Sequence, residues 1–285
     1  MKVSRRIVQH LKYFIRSRNL QPAIIYSSVS IFTALYFLVG GPYTNPVKVF
    51  FTDVKEDVMY TFFPSAERAY DYGDVHLNPN DPSDYDIARA EFFFNQARKI
   101  DPNLPYVYHQ LARIAFLNSD FLRAMSLINT QIQNQGDNTP SSFYVRGLIE
   151  GYMGNYADAE NDYAHFLKLE PNNWAGANDY AWVLLKDNKP ALAAQVTSEA
   201  LKLDPNNPWL LNSNATALYE IGDIADAKAI IERASAAVQT LTPSQWSYAY
   251  PGNNPDIAAD GVASFQEAVA DNMHRILPAT TTTSH

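Results

Sequence analysis

A spacing of 34 residues recurs along the second half of the chain. Pro171 and Pro205 are 34 residues apart. Two sets of small residues keep the same spacing: Gly147, Ala181 and Ala215, and then Ala159, Ala193 and Ala227. A unit of this length with small residues at fixed positions is typical of a hairpin of two closely crossing helices. Because one hairpin cannot bury its own apolar face, the pattern predicts that successive hairpins stack into a solenoid.

The pattern extends upstream with less regularity. Three complete units run from Pro140 to about Thr240, and a looser unit begins at Pro105, 35 residues before Pro140. The small residues Ala112 and Ala124 keep the pattern in that unit, but QIQNQGDNTP makes an irregular join to the next one. The stretch ARAEFFFNQARKIDPN predicts the second half of a still earlier unit.

The turns and linkers carry residues that stop and start helices. The predicted turns are GNYAD at Gly154, DNKPA at Asp187 and GDIAD at Gly222, where Gly or Asn can take the left-handed conformation that ends a helix. In the linker LDPNNPWLL, we expect Asn207 to cap the next helix, with Pro208 at its first position. Thr139 and Pro140 are expected to act in the same way.

A helix-turn-helix repeat with Gly or Ala at position 8, Ala at 20 and Pro at 32 resembles the tetratricopeptide repeat family. The resemblance covers a little over half of the chain. It implies an all-α fold, in which the hairpins form a right-handed superhelix with a concave face lined by the first helix of each unit. Pro190 departs from the pattern, because it occupies a turn position that the family usually gives to an aromatic residue.

The segment after the repeats is predicted to close the solenoid. Thr242 and Gln245 have the spacing of a capping box. Four residues then form one apolar face of a helix: Phe265, Val269, Met273 and Ile276. Solenoids need an end unit with a polar outer face, so this segment is interpreted as a cap. The final residues, ATTTTSH, are expected to be disordered.

The N-terminal part of the chain predicts a membrane anchor. The first twenty residues contain six basic residues and no acid, and the stretch Pro22–Gly41 contains no charged residue. Twenty helical residues span roughly 30 Å, the thickness of a bilayer core. The basic side is expected to stay in the cytoplasm, which places the body outside it, in the periplasm of a bacterial cell. A cleaved signal peptide, a buried helix and a mitochondrial presequence followed by an anchor are the alternatives.

Two features are predicted between the anchor and the repeats. Six apolar residues recur at helical spacing: Val47, Phe50, Phe51, Val54, Val58 and Phe62. Most of the charged residues of this stretch lie at other positions. This helix is expected to pack on the membrane surface or on the body, and docking of a partner is the alternative. The acidic stretch Asp71–Asp86 is expected to be a solvated loop, with a weak cation site as the alternative.

These features predict six segments along the chain. They are a basic cytoplasmic segment (1–21), a transmembrane anchor (22–41), a juxtamembrane helix and acidic loop (42–83), the solenoid (84–240), capping helices (241–277) and a disordered tail (278–285).

Composition and motifs argue against several classes of function. The formal net charge of −8 disfavours a nucleic-acid partner, because phosphates would be repelled. The chain has no cysteine, its six histidines do not stand at metal-ligand spacing, and it contains no GxSxG, P-loop, GxGxxG or HExxH motif. We therefore expect no catalysis, metal, cofactor or small-molecule substrate.

The resemblance implies which residues line a peptide-binding groove, at about positions 2, 5, 9 and 12 of each unit. The implied groove residues are Tyr106, His109, Arg113, Phe116, Tyr144, Leu148, Gly151, Tyr152, Asn178, Trp182, Leu185, Trp209, Asn212, Thr216 and Tyr219. Aromatic rings and side-chain amides suit an extended polypeptide. Trp182 and Tyr219 are the predicted anchors, since neither is expected to be needed where the helices cross. The paired lysines of a chaperone-tail clamp are absent, because the matching positions hold His109, Arg113, Tyr144 and Leu148.

Two classes of function follow from the resemblance. The first is a membrane-anchored, non-enzymatic scaffold that binds other polypeptides in its groove, as a chaperone-like or assembly factor in the cell envelope. The second is a structural bracket subunit of a larger membrane enzyme or transport complex. The repeats themselves do not distinguish the two.

Overall fold

The computed structural model describes residues 45–78, 84–250 and 252–277, with side chains from residue 53 onward. The described part contains two 3₁₀ turns (Gly136–Asn138 and Pro255–Ile257), no β-strand, and the following α-helices: α1 Asn45–Phe62, α2 Ala66–His76, α3 Ile87–Ile100, α4 Val107–Leu117, α5 Phe121–Gln135, α6 Ser141–Met153, α7 Tyr156–Leu169, α8 Trp174–Lys186, α9 Pro190–Leu201, α10 Pro208–Glu220, α11 Ile224–Val238, α12 Pro243–Ala249 and α13 Ala258–Ile276.

The predicted basic segment 1–21, anchor 22–41 and tail 278–285 lie outside the described residues. Among the helices that the structure describes, none is both long and apolar enough to cross a bilayer. The chain divides into the units Met1–Phe50 and Phe51–His285, and the first of these is described only over the start of α1.

Helix hairpins form the body of the second unit. The pairs are α4 with α5, α6 with α7, α8 with α9, and α10 with α11, and each pair also packs against the next one along the chain. The predicted all-helical solenoid is therefore confirmed.

The small residues of the repeat lie where the helices cross. Ala159, Ala181, Ala193, Ala215 and Ala227 are fully buried. At Gly147, an added Cβ would lie 3.1 Å from the ring of Tyr163 and 3.3 Å from the carbonyl oxygen of Ala159. The small residues of the repeat thus allow the paired helices to approach closely, as their spacing predicted.

Overpacking one of these crossings is expected to destabilise the protein. Ala193→Leu places three extra carbon atoms at a fully buried position of α9 and should lower the free energy of unfolding by about 1–3 kcal/mol. Ala191→Leu, at an exposed position of the same helix, is the matched control and should change it by less than about 0.5 kcal/mol. Urea denaturation measures both, and equal stability of the two variants would contradict the assigned crossing.

The predicted turns adopt the left-handed backbone that ends their helices. Gly154, Asn188 and Gly222 have φ angles of 82°, 58° and 85°. The looser first unit uses Ser119, with a φ angle of 60°, at the corresponding turn. Pro190, which departs from the family pattern, lies in the first turn of α9, where a helix requires no amide donor.

One of the two predicted linker caps is present. The side chain of Asn207 accepts hydrogen bonds from the amides of Trp209 and Leu210, so this prediction is confirmed. The prediction for Thr139 is wrong, because α6 begins after Pro140 without a side-chain cap. The 3₁₀ turn before it brings the Thr139 hydroxyl to the Gly136 carbonyl, to which it donates at 3.4 Å.

The half unit predicted upstream is a complete hairpin. Its first helix, α2, packs along α3 and covers the first part of the stretch that was predicted to be a solvated loop. An added Cβ at Gly73 would lie 2.6 Å from the ring of Phe94, so Gly73 serves as the small residue of this crossing. The loop prediction failed because the acids at these positions lie on a helix that has one buried side, with Ala66, Ala69 and Gly73.

Helix α1 packs through a face that the sequence did not single out. Its helical structure was predicted, but the buried residue is Glu56, while Val54 and Val58 are half-buried and Phe62 is exposed. The Arg89 guanidinium on α3 explains this orientation, because it donates to Glu56 Oε2 at 3.0 Å. An ion pair therefore attaches this helix to the body, together with the Tyr60 ring, which meets Phe93 edge-on at 6.0 Å.

The C-terminal helices close the last repeat as predicted. Thr242 and Gln245 form a capping box at the start of α12. The predicted apolar face of α13 packs on residues of α10 and α11 in one hydrophobic cluster, to which it contributes Phe265, Val269, Met273 and Ile276.

Candidate peptide-binding groove

One side of the solenoid encloses a cavity of about 740 Å³. Its walls come from the end of α2, the first helices α4, α6 and α8, and the linker before α8. The facing wall is formed by the end of α12 and the residues after it. We call this space the groove cavity.

A cationic group lies at one end of the groove cavity. Arg113 Nη1 donates to Gln110 Oε1 at 2.7 Å, and Gln110 Nε2 donates to Asp74 Oδ1 at 2.6 Å. Burial, together with Arg113, lowers the pKa of the neighbouring His109 to about 3. His109 is therefore neutral at physiological pH and acts through its hydrogen bond with Ser142 Oγ, at 3.2 Å.

Polar side chains of three successive first helices form a hydrogen-bonded chain. Tyr144 Oη donates to Asp179 Oδ2 at 2.6 Å, Asn178 Nδ2 donates to Asp179 Oδ1 at 3.1 Å, and Ser213 Oγ donates to Asn178 Oδ1 at 2.8 Å. Burial raises the pKa of Asp179, although the hydrogen bonds from Tyr144 and Asn178 partly offset it. These hydrogen bonds join α6, α8 and α10. The polar groups that make them are therefore already paired with one another.

A row of aromatic side chains runs across α4, α6 and α8. The ring centroids of Phe116 and Tyr152 are 5.1 Å apart, and those of Tyr152 and Trp182 are 5.5 Å apart. Tyr152 is 59% exposed, so a partner can reach its ring without opening the helix packing.

Trp182 has a structural role that the sequence analysis did not expect. A Cβ added to Gly151 would lie 2.6 Å from its ring, so Trp182 fills the contact between α6 and α8. The expectation that Trp182 is not needed at a helix crossing is therefore wrong. The reason is that Gly151 is a second small residue on α6, one turn beyond Gly147.

The last repeat does not offer an open groove surface. Trp209 stacks on Phe265 of α13 at 5.3 Å, Asn212 accepts a hydrogen bond from Asn272 at 3.0 Å, and the Arg275 guanidinium lies 5.3 Å from the Tyr219 ring centroid. Contacts with α13 therefore cover part of the side-chain surface that these residues would offer to a partner.

The remaining predicted residues are partly buried. Tyr106 has a left-handed backbone, and its ring meets His109 edge-on at 5.3 Å. Thr216 donates to the carbonyl of Asn212 at 2.9 Å. Leu185 packs on a core cluster, and Leu148 is half-buried.

The sequence analysis missed both Asp179 and the facing wall of the groove cavity. Asp179 lies beside the predicted Asn178, but an isolated acid in a repeat gives no signal of burial. The wall residues Ser247, Tyr248, Ala249 and Gly252 lie after the repeats. No periodic pattern relates them to the first helices.

One group of side chains in the described residues has the geometry of a metal site. Ligand atoms of Asp53, Glu56 and His76 lie within 4.8 Å of one another. However, Arg89 Nε lies 3.0 Å from Asp53 Oδ1 and donates to His76 Nε2 at 3.0 Å. Because the guanidinium already supplies the positive charge, these residues do not fit a metal ion and form an ion-pair network.

Stacked helix hairpins with a groove along their first helices define a class, the helical-repeat solenoid proteins. Two family models of the tetratricopeptide repeat match residues 144–208 and 184–248. Residues 144–248 therefore carry tetratricopeptide repeats, as the spacing predicted.

Solved structures with the same architecture agree with this assignment. A structure described as the functional characterization of Pseudomonas aeruginosa pilF matches at a TM-score of 0.54 and 15% identity, over 75% of this chain and 95% of that one. The crystal structure of MamA protein matches at a TM-score of 0.50 and 13% identity, over 60% and 92%. A structure described as MamA MSR-1 C2 matches at 0.50 and 17%, over 60% and 97%. No curated protein matches this chain in sequence.

Proposed function

We propose that the chain is a membrane-anchored, non-enzymatic scaffold whose groove binds a segment of another polypeptide, as a chaperone-like or assembly factor. The groove cavity is the observation that carries this proposal. Side chains of three successive repeats line it with rings, amides and one guanidinium. Such a surface offers stacking and hydrogen bonds to an extended backbone, which is how polypeptides are recognised.

The exposed ring of Tyr152, which lies on the same helix as the cavity residue Tyr144 but outside the lining of the cavity, tests whether a bound polypeptide extends along the first helices. Binding energy in protein interfaces is concentrated in a few residues, often aromatic ones. Tyr152→Ala is therefore expected to weaken partner binding by at least about 1–2 kcal/mol, with the fold retained because the ring is 59% exposed. Pull-down from gently solubilised membranes, quantified by mass spectrometry, measures the loss, and circular dichroism checks the fold.

Leu122→Ala is the matched control, because Leu122 is 76% exposed but belongs to α5, a second helix. It should recover partners at the wild-type yield. If both variants recover the same partners equally well, the aromatic row of Phe116, Tyr152 and Trp182 is not part of the binding surface. Recovery of one fixed set of partners in stoichiometric amounts would favour the alternative of a bracket subunit in a larger complex.

The anchoring part of the proposal rests on the sequence of residues 22–41 and on the basic residues before it. With the N-terminus in the cytoplasm, protease added to intact spheroplasts should remove the body and spare the first twenty residues. A body that is fully protected until the membrane is permeabilised would reverse the proposed orientation.

A further inference from the structure

The His76 ring makes two close polar contacts inside the ion-pair network that attaches α1. His76 is the last residue of α2 and is only 2% exposed, and its ring stacks on Phe93 of α3 with 6° between the two planes. On one side, Nδ1 lies 2.7 Å from the carbonyl oxygen of Asp84. Because a carbonyl oxygen can only accept, Nδ1 carries a hydrogen and donates it.

The second contact, with Glu56 of α1, calls for another proton. His76 Nε2 lies 2.7 Å from Glu56 Oε2. When Nδ1 is protonated, Nε2 of a neutral ring has only a lone pair, which faces the lone pairs of the carboxylate and repels them. The contact becomes a hydrogen bond when Nε2 takes up a proton. Arg89 donates to the same carboxylate oxygen at 3.0 Å, which favours the proton on the ring rather than on the carboxyl group.

Arg89 has an acceptor in either state of the ring. Its Nε lies 3.0 Å from His76 Nε2, 3.2 Å from Glu56 Oε2 and 3.0 Å from Asp53 Oδ1. The neutral ring accepts a hydrogen bond from this nitrogen, whereas beside the charged ring the same nitrogen donates to the two carboxylates. Protonation therefore moves the hydrogen bond of Nε2 from Arg89 on α3 to Glu56 on α1.

The charges around the ring favour its protonated state. The charged groups of the network are Asp53, Glu56 and Asp57 on α1 and Arg89 on α3. A positive charge on His76 offsets carboxylate charge that a single guanidinium leaves unbalanced. Burial lowers the pKa of His76, but the hydrogen bonds with Glu56 and with the Asp84 carbonyl outweigh it and raise the pKa above 6.5. On α2 itself, Tyr72 stays neutral in this range because burial raises its pKa.

We propose that His76 is a proton-operated clasp for α1: its protonated ring binds Glu56 and holds α1 on the body, and loss of the proton loosens α1. This inference goes beyond the proposed function and does not depend on it. A histidine that gains a proton partner on folding stabilises the folded contact fully below its unfolded pKa. The contribution of the clasp is therefore complete below about pH 6.5 and is lost as the pH rises through the raised pKa of His76.

Two measurements on the full-length protein test the clasp. NMR of the imidazole rings, assigned by comparison with His76→Gln, follows the proton itself, and the His76 ring should titrate above pH 6.5. Electron paramagnetic resonance between spin labels at Thr61→Cys on α1 and Leu122→Cys on α5 follows the position of α1. Both sites are exposed, and the chain has no cysteine of its own to compete for the label. The fraction of molecules with α1 released should rise at least about fivefold between about pH 6 and about pH 9.

Glu56→Gln is the decisive variant, because it keeps the shape of the side chain. Its amide nitrogen can donate to the neutral Nε2 of His76, while its amide oxygen can still accept from Arg89. We therefore expect α1 to stay docked at both pH values and the His76 pKa to fall below that of the wild type. His165→Gln is the matched control, since His165 lies 2.7 Å from Asp137 in an exposed pair, and it should keep the full pH dependence.

Glu150 of α6 titrates in the same range, because burial and the neighbouring Asp162 raise its pKa to about 8. It is present in every variant, so only the part of the pH dependence that Glu56→Gln removes is assigned to His76. If the wild type and Glu56→Gln respond equally to pH, or if the wild-type His76 ring loses its proton below pH 6.5, the inference is overturned.

Discussion

Arg89→Ala is expected to lower the free energy of unfolding by roughly 3–5 kcal/mol. The Arg89 guanidinium donates to Glu56 Oε2 at 3.0 Å, and the two side chains are only 10% and 5% exposed. It also pairs with Asp53 and Asp57, which are more exposed. Removal of the cation leaves the buried Glu56 carboxylate with only the His76 ring beside it, Nε2 lying 2.7 Å from Oε2, and breaking a buried pair in this way costs more than the pair itself contributes.

Arg123→Ala is the matched control for this prediction. Arg123 pairs with Glu91, but its side chain is 42% exposed, and a pair of that kind contributes about 0–1 kcal/mol. Thermal and urea denaturation should therefore separate the two variants clearly. If Arg89→Ala were as stable as Arg123→Ala, the ion-pair network would not be what attaches α1 to the body.

Tyr163→Ala is the second change with a large expected effect, about 3–5 kcal/mol. The Tyr163 side chain is completely buried. It lies against Gly147 of α6 and meets the ring of Tyr144 edge-on at 5.7 Å. Its loss would leave a cavity beneath the helix that carries Tyr144 and Tyr152. Urea should therefore unfold the variant at a lower concentration, and partner binding should weaken.

Tyr163→Phe tests whether the ring or the hydroxyl matters. Among the described residues, the buried Tyr163 hydroxyl has no hydrogen-bonding partner, and an unsatisfied buried polar group destabilises a fold. The phenylalanine variant should therefore be as stable as the wild type or more stable, by up to about 1 kcal/mol. A loss equal to that of Tyr163→Ala in the same urea titration would show that the hydroxyl has a partner after all.

Some of the groove could be predicted from the sequence because its first helices are part of the repeat. Positions such as Tyr144, Tyr152 and Asn178 follow from the register once the helix crossings are placed. The register does not say which residues stay accessible. Trp182 is used for packing because Gly151 lies opposite it, and Tyr219 is partly covered because Arg275 of α13 lies against its ring.

The sequence by itself determined the solenoid, its turns and the capping face of α13. These features depend on contacts between residues that are close in sequence, and such contacts impose a period on small and apolar residues. The left-handed turns at Gly154 and Gly222 are local in the same sense.

Only the tertiary structure decided which face of α1 packs, and that residues after the repeats line one side of the groove cavity. Arg89 meets Glu56 across 33 residues, and Tyr85 meets Gly252 across 167. Contacts between residues so far apart in sequence join parts of the chain that do not share the repeat. No local sequence pattern therefore predicts them. They form because a buried carboxylate needs a cation and a buried carbonyl needs a donor, and only the folded chain brings those partners within reach.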